Sequence, residues 1–183
     1  MGKIDWQRQV SEHNIRPMPT SDIVQILLAH DRWATGQILT ACQKLGEDDF
    51  HRQFEIGPGS LHMTTTHILG AMGTWIATLK GHPITPRLDQ DGQRRTPDQL
   101  LAILDATAPQ LAQEAHRLPL SDTVSRTREG KTHQFTRGAV IAHVVTHGMH
   151  HRAQCLNMLR HLGVKPLPPG SVAEWSRLVD SAT

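Results

Sequence analysis

The sequence predicts an all-α fold, a four-helix bundle with one short helix at its C-terminal end. Three observations predict this class: four long stretches carry apolar residues at helical spacing, capping residues precede them, and glycine or proline follows them. Four long helices in succession bury their apolar faces against one another as a bundle. With 183 residues, 38% of them hydrophobic and 20% charged, the chain is large enough for one stable core.

The first helix is expected after a polar N-terminal extension, residues 1–19. The Thr-Ser-Asp run at residues 20–22 offers side-chain oxygens that can cap a helix N-terminus, and the apolar period then continues to about Leu45. Residues 47–59, EDDFHRQFEIGPG, end in a Gly-Pro-Gly run and are expected to form a loop. We expect residues 20–183 to form a single domain.

The second and third helices have clear start and stop signals. Ser60 can cap the second helix, and Gly81 ends it. Thr96 and Gln99 have the spacing of a capping box around a proline at the first helical position. The third helix is then expected to run to about Arg117.

The last third of the chain contains the longest helical pattern. Residues 118–135 show no clear period and predict either a short hairpin or a loop. A fourth helix is expected from about Thr136, because apolar residues recur at helical spacing from there to a glycine stop. Ser171 and Glu174 form a second capping box, which predicts a short terminal helix to about Ser181.

Charge and cysteine content argue against several classes of protein. The formal net charge is only +2, with basic and acidic residues interspersed, so we expect no nucleic-acid partner. No stretch approaches the roughly 20 apolar residues that a membrane span needs, and the N-terminus has no apolar signal region. The two cysteines, Cys42 and Cys155, lie far apart, which favours a reducing, cytoplasmic location without membrane association.

Histidine is unusually frequent, with 13 residues in the chain. On the fourth helix His147 and His151 are one turn apart on one face, so both imidazoles can reach one metal ion. His143 shares this face but lies eight residues, or roughly 12 Å, from His151, too far for both to bind one ion at about 2.1 Å. Only an adjacent pair can share an ion.

The face that carries His147 and His151 is otherwise apolar. Four apolar residues lie near the same direction: Val140, Val144, Met158 and Leu162. An imidazole that points into a bundle needs a hydrogen-bond partner or a metal, because an unsatisfied buried polar group costs about 1–3 kcal/mol. Hydrogen-bonded core histidines are the alternative, but two on one apolar face favour a metal.

A third ligand must come from another helix, and the second helix offers His62 and His67. These residues are five positions apart and point roughly 140° away from each other, so at most one can serve. His62 lies somewhat closer to the apolar stripe, whereas His67 shares its side with a small-residue face that lets another helix approach closely. Residue spacing leaves both open.

Several residues near the predicted ligands have two interpretations. Gln154 and His150 can support the ligands through hydrogen bonds, or can be ordinary polar surface groups. Arg152 points away from the ion and is expected to pair with an acidic group at an interface or to be solvated. Cys155 is expected to be a small buried core residue rather than a ligand. The tryptophans at helical positions are expected to pack in the core or at an interface rather than to contact substrate: Trp33, Trp75 and Trp175.

Three motifs, taken in order, resemble the DinB/YfiT-like family of four-helix-bundle candidate metalloenzymes. LLAHDRWATGQIL resembles the first helix of the family, HILGAMGTWIATLKG its second helix with the first ligand histidine, and HVVTHGMHHRAQ its signature ending in HRGQ. The resemblance implies that His67, His147 and His151 bind one divalent metal ion, Ni²⁺ or Zn²⁺, with water or substrate completing the coordination. Two positions depart from the family: Met72 replaces an acidic residue common after the first histidine, and Ala153 replaces the glycine of HRGQ.

The resemblance assigns the site better than the reaction. Some relatives transfer small thiols such as mycothiol or bacillithiol, or isomerise substrates with thiol assistance, while many have no established reaction. We therefore expect a metal-dependent enzyme resembling a thiol S-transferase, a homodimer, and a small-molecule thiol as substrate, and we assign no catalytic residue. The alternatives are a metal-dependent hydrolase and a non-catalytic, stress-related metal-binding or dimerisation module.

The surroundings of the metal distinguish these alternatives. Three neutral ligands leave the charge of the ion unneutralised and one coordination position open, which is typical of catalytic sites. Such an ion acidifies a bound water or thiol. An open pocket with polar groups favours an enzyme, whereas an apolar, sealed site would exclude one.

Overall fold

The structure is a computed structural model that describes residues 22–84 and 86–180. The predicted N-terminal extension, residues 1–19, and the first two residues of the predicted cap lie outside the described residues. The described elements are α1 Ile23–Cys42, α2 Glu47–His51, α3 Leu61–Lys80, α4 Pro97–Arg117, β1 Thr123–Arg128, β2 Lys131–Thr136, α5 Arg137–His161 and α6 Val172–Asp180, with a 3₁₀ turn at Leu88–Gln90.

The four long helices α1, α3, α4 and α5 pack side by side, so the predicted all-α four-helix bundle is confirmed. Helix α3 contacts α4 and α5, and α1 contacts the same two helices. The core between them consists largely of fully buried leucine, methionine and valine side chains: Leu39, Leu69, Leu104, Leu111, Val140 and Met158. This packing places α3 directly beside α5, the two helices that carry the histidines.

The helix ends follow the predicted capping residues. The Asp22 side chain accepts a hydrogen bond from the Val24 N–H at 2.8 Å, and the Ser60 Oγ accepts one from the Met63 N–H at 3.1 Å. Gly81 ends α3 in the left-handed conformation, with φ 69°, which glycine adopts without strain.

The two predicted capping boxes are both formed, and a further side-chain cap begins α5. Thr96 and Gln99 form the full capping box of α4, each side chain bonded to the other's backbone N–H. Glu174 and Ser171 do the same at α6, with the Ser171 Oγ accepting from the Glu174 N–H at 3.1 Å. Thr136 caps α5 through the Ala139 N–H.

Two boundaries near residue 45 differ from the prediction. Helix α1 ends at Cys42 rather than at about Leu45, because the chain tightens there into a turn in which the Leu45 N–H bonds to the Cys42 carbonyl. Residues 47–59 are not entirely a loop, since their first five residues form α2. Three acidic residues in the first turn of α2 interact favourably with the helix dipole. The Phe50 side chain, 3% exposed, packs α2 against the core.

A β-hairpin precedes α5, which confirms the first of the two alternatives for residues 118–135. Strands β1 and β2 pair antiparallel, with Thr123 opposite Thr136. Glu129 and Gly130 both have positive φ, 52° and 75°. A two-residue hairpin turn requires this when its twist matches the right-handed twist of the two strands. Strand β1 packs on α3 and β2 packs on α5, so the hairpin lies over the groove between the two histidine-bearing helices.

No helix in the described part of the chain combines the length and the apolarity needed to cross a bilayer.

Candidate metal centre

The structure brings together the three histidines that the family resemblance implies. His67 extends from α3, and His147 and His151 extend from α5, with ligand nitrogens within 4.8 Å of one another. The Nε2 atoms of His67 and His147 are 3.1 Å apart, and the His151 ring centroid lies 4.6 Å from that of His67 and 4.4 Å from that of His147. Among the described residues, this is the group that could hold a metal ion.

The arrangement of the three rings fits one ion. Two nitrogens bound at about 2.1 Å, with an angle of roughly 90–110° at the ion, lie about 3.0–3.4 Å apart. The Nε2 separation of 3.1 Å between His67 and His147 is within this range. Imidazole nitrogens suit Zn²⁺ and Ni²⁺.

The outer nitrogens of His67 and His151 are held by hydrogen bonds. The Nδ1 of His67 donates to Asp89 Oδ2 at 2.8 Å, and the Nδ1 of His151 donates to Gln154 Oε1 at 2.7 Å. Because Nδ1 carries the proton in both rings, the Nε2 lone pair of each is free to bind a metal ion.

Asp89 is a residue of this site that the sequence analysis missed. It lies in the 3₁₀ turn after α3, and the Arg87 guanidinium donates to both of its oxygens, at 2.9 and 2.8 Å. On α3, Gly70 leaves room for this turn, since a Cβ there would lie 3.1 Å from Asp89 Oδ1. The carboxylate that bonds His67 thus comes from outside the helix, and Met72, where relatives commonly have an acidic residue, is buried in the core.

Gln154 and His150 support the ligands, rather than being only polar surface groups. Gln154 bonds to His151 through Oε1 and donates from Nε2 to the His150 Nε2 at 3.0 Å. Gly57, with φ 51°, packs against the Gln154 amide so closely that a Cβ would lie 2.5 Å from its Cδ. A glycine therefore packs against each of the two groups that bond the ligand histidines: Gly70 against the Asp89 carboxylate and Gly57 against the Gln154 amide.

Burial favours the neutral imidazole of His147 and of His151. Burial and then the neighbouring His151 and His67 lower the pKa of His147 to about 4. Burial also lowers the pKa of His151, although its hydrogen bond to Gln154 acts in the opposite direction. Neutral imidazole is the form that binds metal, so these two rings are in the binding form at pH 7.

The other two candidate histidines lie outside the group. The His143 ring centroid is 5.5 Å from that of His147 and 5.1 Å from that of Trp75, beside the centre and not in it. His62 instead accepts a hydrogen bond on Nε2 from the Arg95 N–H at 3.1 Å. It is therefore a hydrogen-bonded core histidine.

An open cavity of about 610 Å³ adjoins the centre, and His147 is part of its wall. The wall also has polar side chains, among them Thr74 and His143, and the rings of Trp75 and Phe135. Trp75 is 8% exposed and packs in the hydrophobic core, as expected, and it also lines this cavity. Trp175 is buried beside His30, as expected.

Arg152 and Cys155 both lie within the bundle. Arg152 is buried where α5 packs on α1: it forms an ion pair with the buried Asp31 of α1 and donates to Thr35 Oγ1 at 3.1 Å. The expected acidic partner is therefore present, and the alternative of a solvated arginine is wrong. Cys155 is a buried core residue, as predicted, and burial raises the pKa of its thiol to about 12.

Comparison with known proteins agrees with this architecture. No curated protein matches the chain. The sequence profile of the DinB family matches residues 18–174, a span that contains all four bundle helices and the three histidines. Because this match covers well over half of its residues, the chain belongs to the DinB family.

Proposed function

We propose that this protein binds one divalent metal ion, Zn²⁺ or Ni²⁺, through His67, His147 and His151, and that it is an enzyme that transfers a small thiol to an electrophile. One observation carries the proposal: His147 belongs both to the three-histidine group and to the wall of the 610 Å³ cavity. A small molecule in the cavity can thus reach the metal position. A sealed apolar site would instead have favoured the non-catalytic module.

Thiol transfer at this site requires a metal ion whose positive charge is not neutralised by its ligands, and imidazole rings that stay oriented towards the ion. A divalent ion held by neutral imidazoles retains its positive charge and acidifies a bound thiol or water. Asp89 and Gln154 hold the Nδ1 protons of His67 and His151, so the ligand nitrogens stay directed at the centre.

The thiol in this reaction is a substrate and not a protein side chain. Cys42 and Cys155 are both fully buried, and burial raises the pKa of each thiol above its usual value. In the proposed reaction the substrate thiol releases its proton to solvent, its sulfur bonds to an electrophilic carbon, and the leaving group departs with its electron pair.

The proposal is tested with protein purified without a histidine tag, stripped with a chelator and reloaded with Zn²⁺ or Ni²⁺. Small thiols are combined with 1-chloro-2,4-dinitrobenzene, and thioether formation is followed by absorbance. We expect turnover in reloaded wild type and in the control His82→Ala, an exposed histidine remote from the site, and none in stripped protein or His147→Ala. A metal-loaded protein that accelerates no thiol transfer would refute the S-transferase, and metal-dependent ester hydrolysis without thiol would identify the hydrolase.

Three further expectations concern oligomeric state, location and partners. We propose a homodimer through the outer surfaces of α1 and α5, where Ile23 and Met149 are 63% and 60% exposed. A cytoplasmic location and the absence of a nucleic-acid partner also stay predictions. Sedimentation equilibrium of wild type and of Met149→Glu tests the dimer, which the substitution should weaken.

A further inference from the structure

Arg126 extends from β1 into the wall of the cavity. Its Cζ lies 4.6 Å from the centroid of the Trp75 ring, so the guanidinium stacks over the aromatic face. The Nε of this guanidinium is buried and has no hydrogen-bond partner within the part of the chain that the structure describes. A charged guanidinium thus borders the cavity, and its buried Nε lacks a hydrogen-bond partner among the described residues.

The neighbouring arginines differ from Arg126 because each has an acidic partner. Arg87 is paired with Asp89 at 2.8 Å, and Arg128 with Glu129 at 3.1 Å. Among residues 22–84 and 86–180, no acidic side chain pairs with Arg126, and the cavity wall contains arginine and histidine but neither aspartate nor glutamate. The wall therefore carries an excess of positive charge at Arg126.

Arg126 and the metal centre lie at two ends of one wall. The wall passes from His147 to the His143 ring at 5.5 Å, from there to the Trp75 ring at 5.1 Å, and from Trp75 to the Arg126 guanidinium at 4.6 Å. The aromatic surface between the two polar ends continues to Phe135, whose ring is 5.6 Å from that of Trp75. The wall thus offers a ligand a cation at Arg126, an aromatic surface at Trp75 and Phe135, and access to the metal centre at His147.

We propose that Arg126 binds the anionic end of the substrate, which is a small organic molecule with a carboxylate or another oxyanion separated by an apolar segment from the group that reaches the metal. A guanidinium binds such an oxyanion through two parallel hydrogen bonds. The cavity volume of about 610 Å³ is in the range of sites for small molecules. The inference rests on the proposed function, because it assigns a substrate class to the same cavity.

The test uses metal-free protein, so its result does not depend on the metal site. Binding of 3-phenylpropionate, of its neutral amide and of phenethyl phosphate is measured by isothermal titration calorimetry. Wild type should bind the carboxylate roughly tenfold or more tightly than the amide, because a hydrogen bond to a charged group is lost with the amide. Comparison of phenethyl phosphate with 3-phenylpropionate shows whether Arg126 binds a phosphate or a carboxylate more tightly.

Variants then assign the preference to Arg126. Arg126→Gln should bind carboxylate and amide equally, and Arg126→Lys, which keeps the charge without the planar fork, should retain part of the preference. The control Arg160→Gln removes the same charge from an exposed position at the end of α5 and should leave the preference unchanged. Thermal unfolding confirms that each variant is folded.

Three results would overturn the inference: no binding of any probe by wild type, equal binding of carboxylate and amide, or a preference that survives in Arg126→Gln. Metal content is measured separately on wild-type protein from the same purification that has not been treated with chelator. If the protein contains no metal but prefers the carboxylate, the proposed metal site is wrong and the role of Arg126 stands. If it contains metal but shows no preference, the role of Arg126 is wrong and the metal site stands.

Discussion

The Nδ1 of His67 donates a hydrogen bond of 2.8 Å to Oδ2 of Asp89, 22 residues further along the chain. This contact directs the other ring nitrogen of His67 towards the ring of His147. Asp89 is itself fixed, because Arg87 donates to both of its oxygens. A carboxylate that accepts the outer proton of a ligating imidazole orients the ring and raises the basicity of its other nitrogen.

Substitution of Asp89 should weaken metal binding without removing a ligand. We expect Asp89→Ala to lower the affinity for Zn²⁺ by about 10–100-fold, the usual effect of losing such a partner. Asp89→Asn retains an acceptor oxygen and should lose less. The measurement is a competition titration with a chromophoric chelator. Asp91→Asn, which alters an aspartate paired with Arg95 instead, is the control, and equal affinities in Asp89→Ala and in this control would contradict the assigned role.

Gly70 should also affect metal binding, because the turn that carries Asp89 packs against it. A methyl group at Gly70 would meet Asp89 Oδ1 at 3.1 Å and the Leu88 backbone nitrogen at 3.3 Å, so the 3₁₀ turn must move away from His67. We expect Gly70→Ala to weaken Zn²⁺ binding by up to roughly tenfold, less than the loss of Asp89 itself.

Gly73→Ala provides a matched control on the same helix. Nothing lies within 4 Å of a Cβ at Gly73, so this variant should bind metal normally and gain up to about 1 kcal/mol in stability from helix propensity. Both variants are compared by the same chelator titration and by urea denaturation. Equal metal affinity in the two variants would show that the 3₁₀ turn does not position His67.

The fold could be predicted from local signals, whereas Asp89 could not. Caps such as Ser60 and the Thr96–Gln99 box act within one turn, so residue spacing reveals them. Asp89 lies in a linker without a period, and its contact with His67 depends on where that linker folds back over α3. The one local sign was Gly70, a glycine inside a helix, which often marks a close approach of another segment.

The buried ion pair between Asp31 and Arg152 should stabilise the packing of α1 on α5. We expect Arg152→Met to lower the free energy of unfolding by roughly 3–5 kcal/mol, because it leaves the Asp31 carboxylate buried without its partner. The double variant Asp31→Asn with Arg152→Met should lose less than the single one. Urea denaturation of the wild type, the two single variants and the double variant measures the coupling.

Gly148 gives an independent check on this ion pair. A Cβ at Gly148 would lie 2.5 Å from Asp31 Oδ1 and 2.8 Å from Arg152 Nη1, so Gly148→Ala should also destabilise the fold. If Arg152→Met costs less than about 1 kcal/mol, as for an exposed pair, the buried pair does not hold the helices together.

Stability of the metal-free protein should fall as the pH falls from about 6.5 towards 4. Burial lowers the pKa of both His62 and His147 from 6.5 to about 4. In this window the unfolded chain binds protons at these positions and the folded chain does not, so the free energy of unfolding decreases with decreasing pH. Urea denaturation of chelator-treated protein across this range measures the slope.

Variants identify the groups responsible for that pH dependence. His62→Gln should flatten the slope, because it removes one of the histidines whose pKa burial lowers to about 4, whereas the exposed His82→Gln should leave it unchanged. A free energy of unfolding that stays constant or rises on acidification through this window would contradict the assignment.

The histidine pair on α5 was predictable from helical geometry, but the choice of His67 was not. His147 and His151 are one turn apart on one helix, so their proximity follows from the sequence. His62 and His67 differ only in the direction they face on α3, and the packing of α3 against α5 decides between them. The family resemblance named His67, which is the histidine that the structure places beside His147 and His151.

The metal content of protein purified without a histidine tag tests the central claim most directly. Elemental analysis should find one divalent ion per chain in wild type and a near-complete loss in His67→Ala, His147→Ala and His151→Ala. His143→Ala, on the same face of α5 but outside the group, should retain the ion. Metal retained at the wild-type level in all three ligand variants would contradict the three-histidine centre.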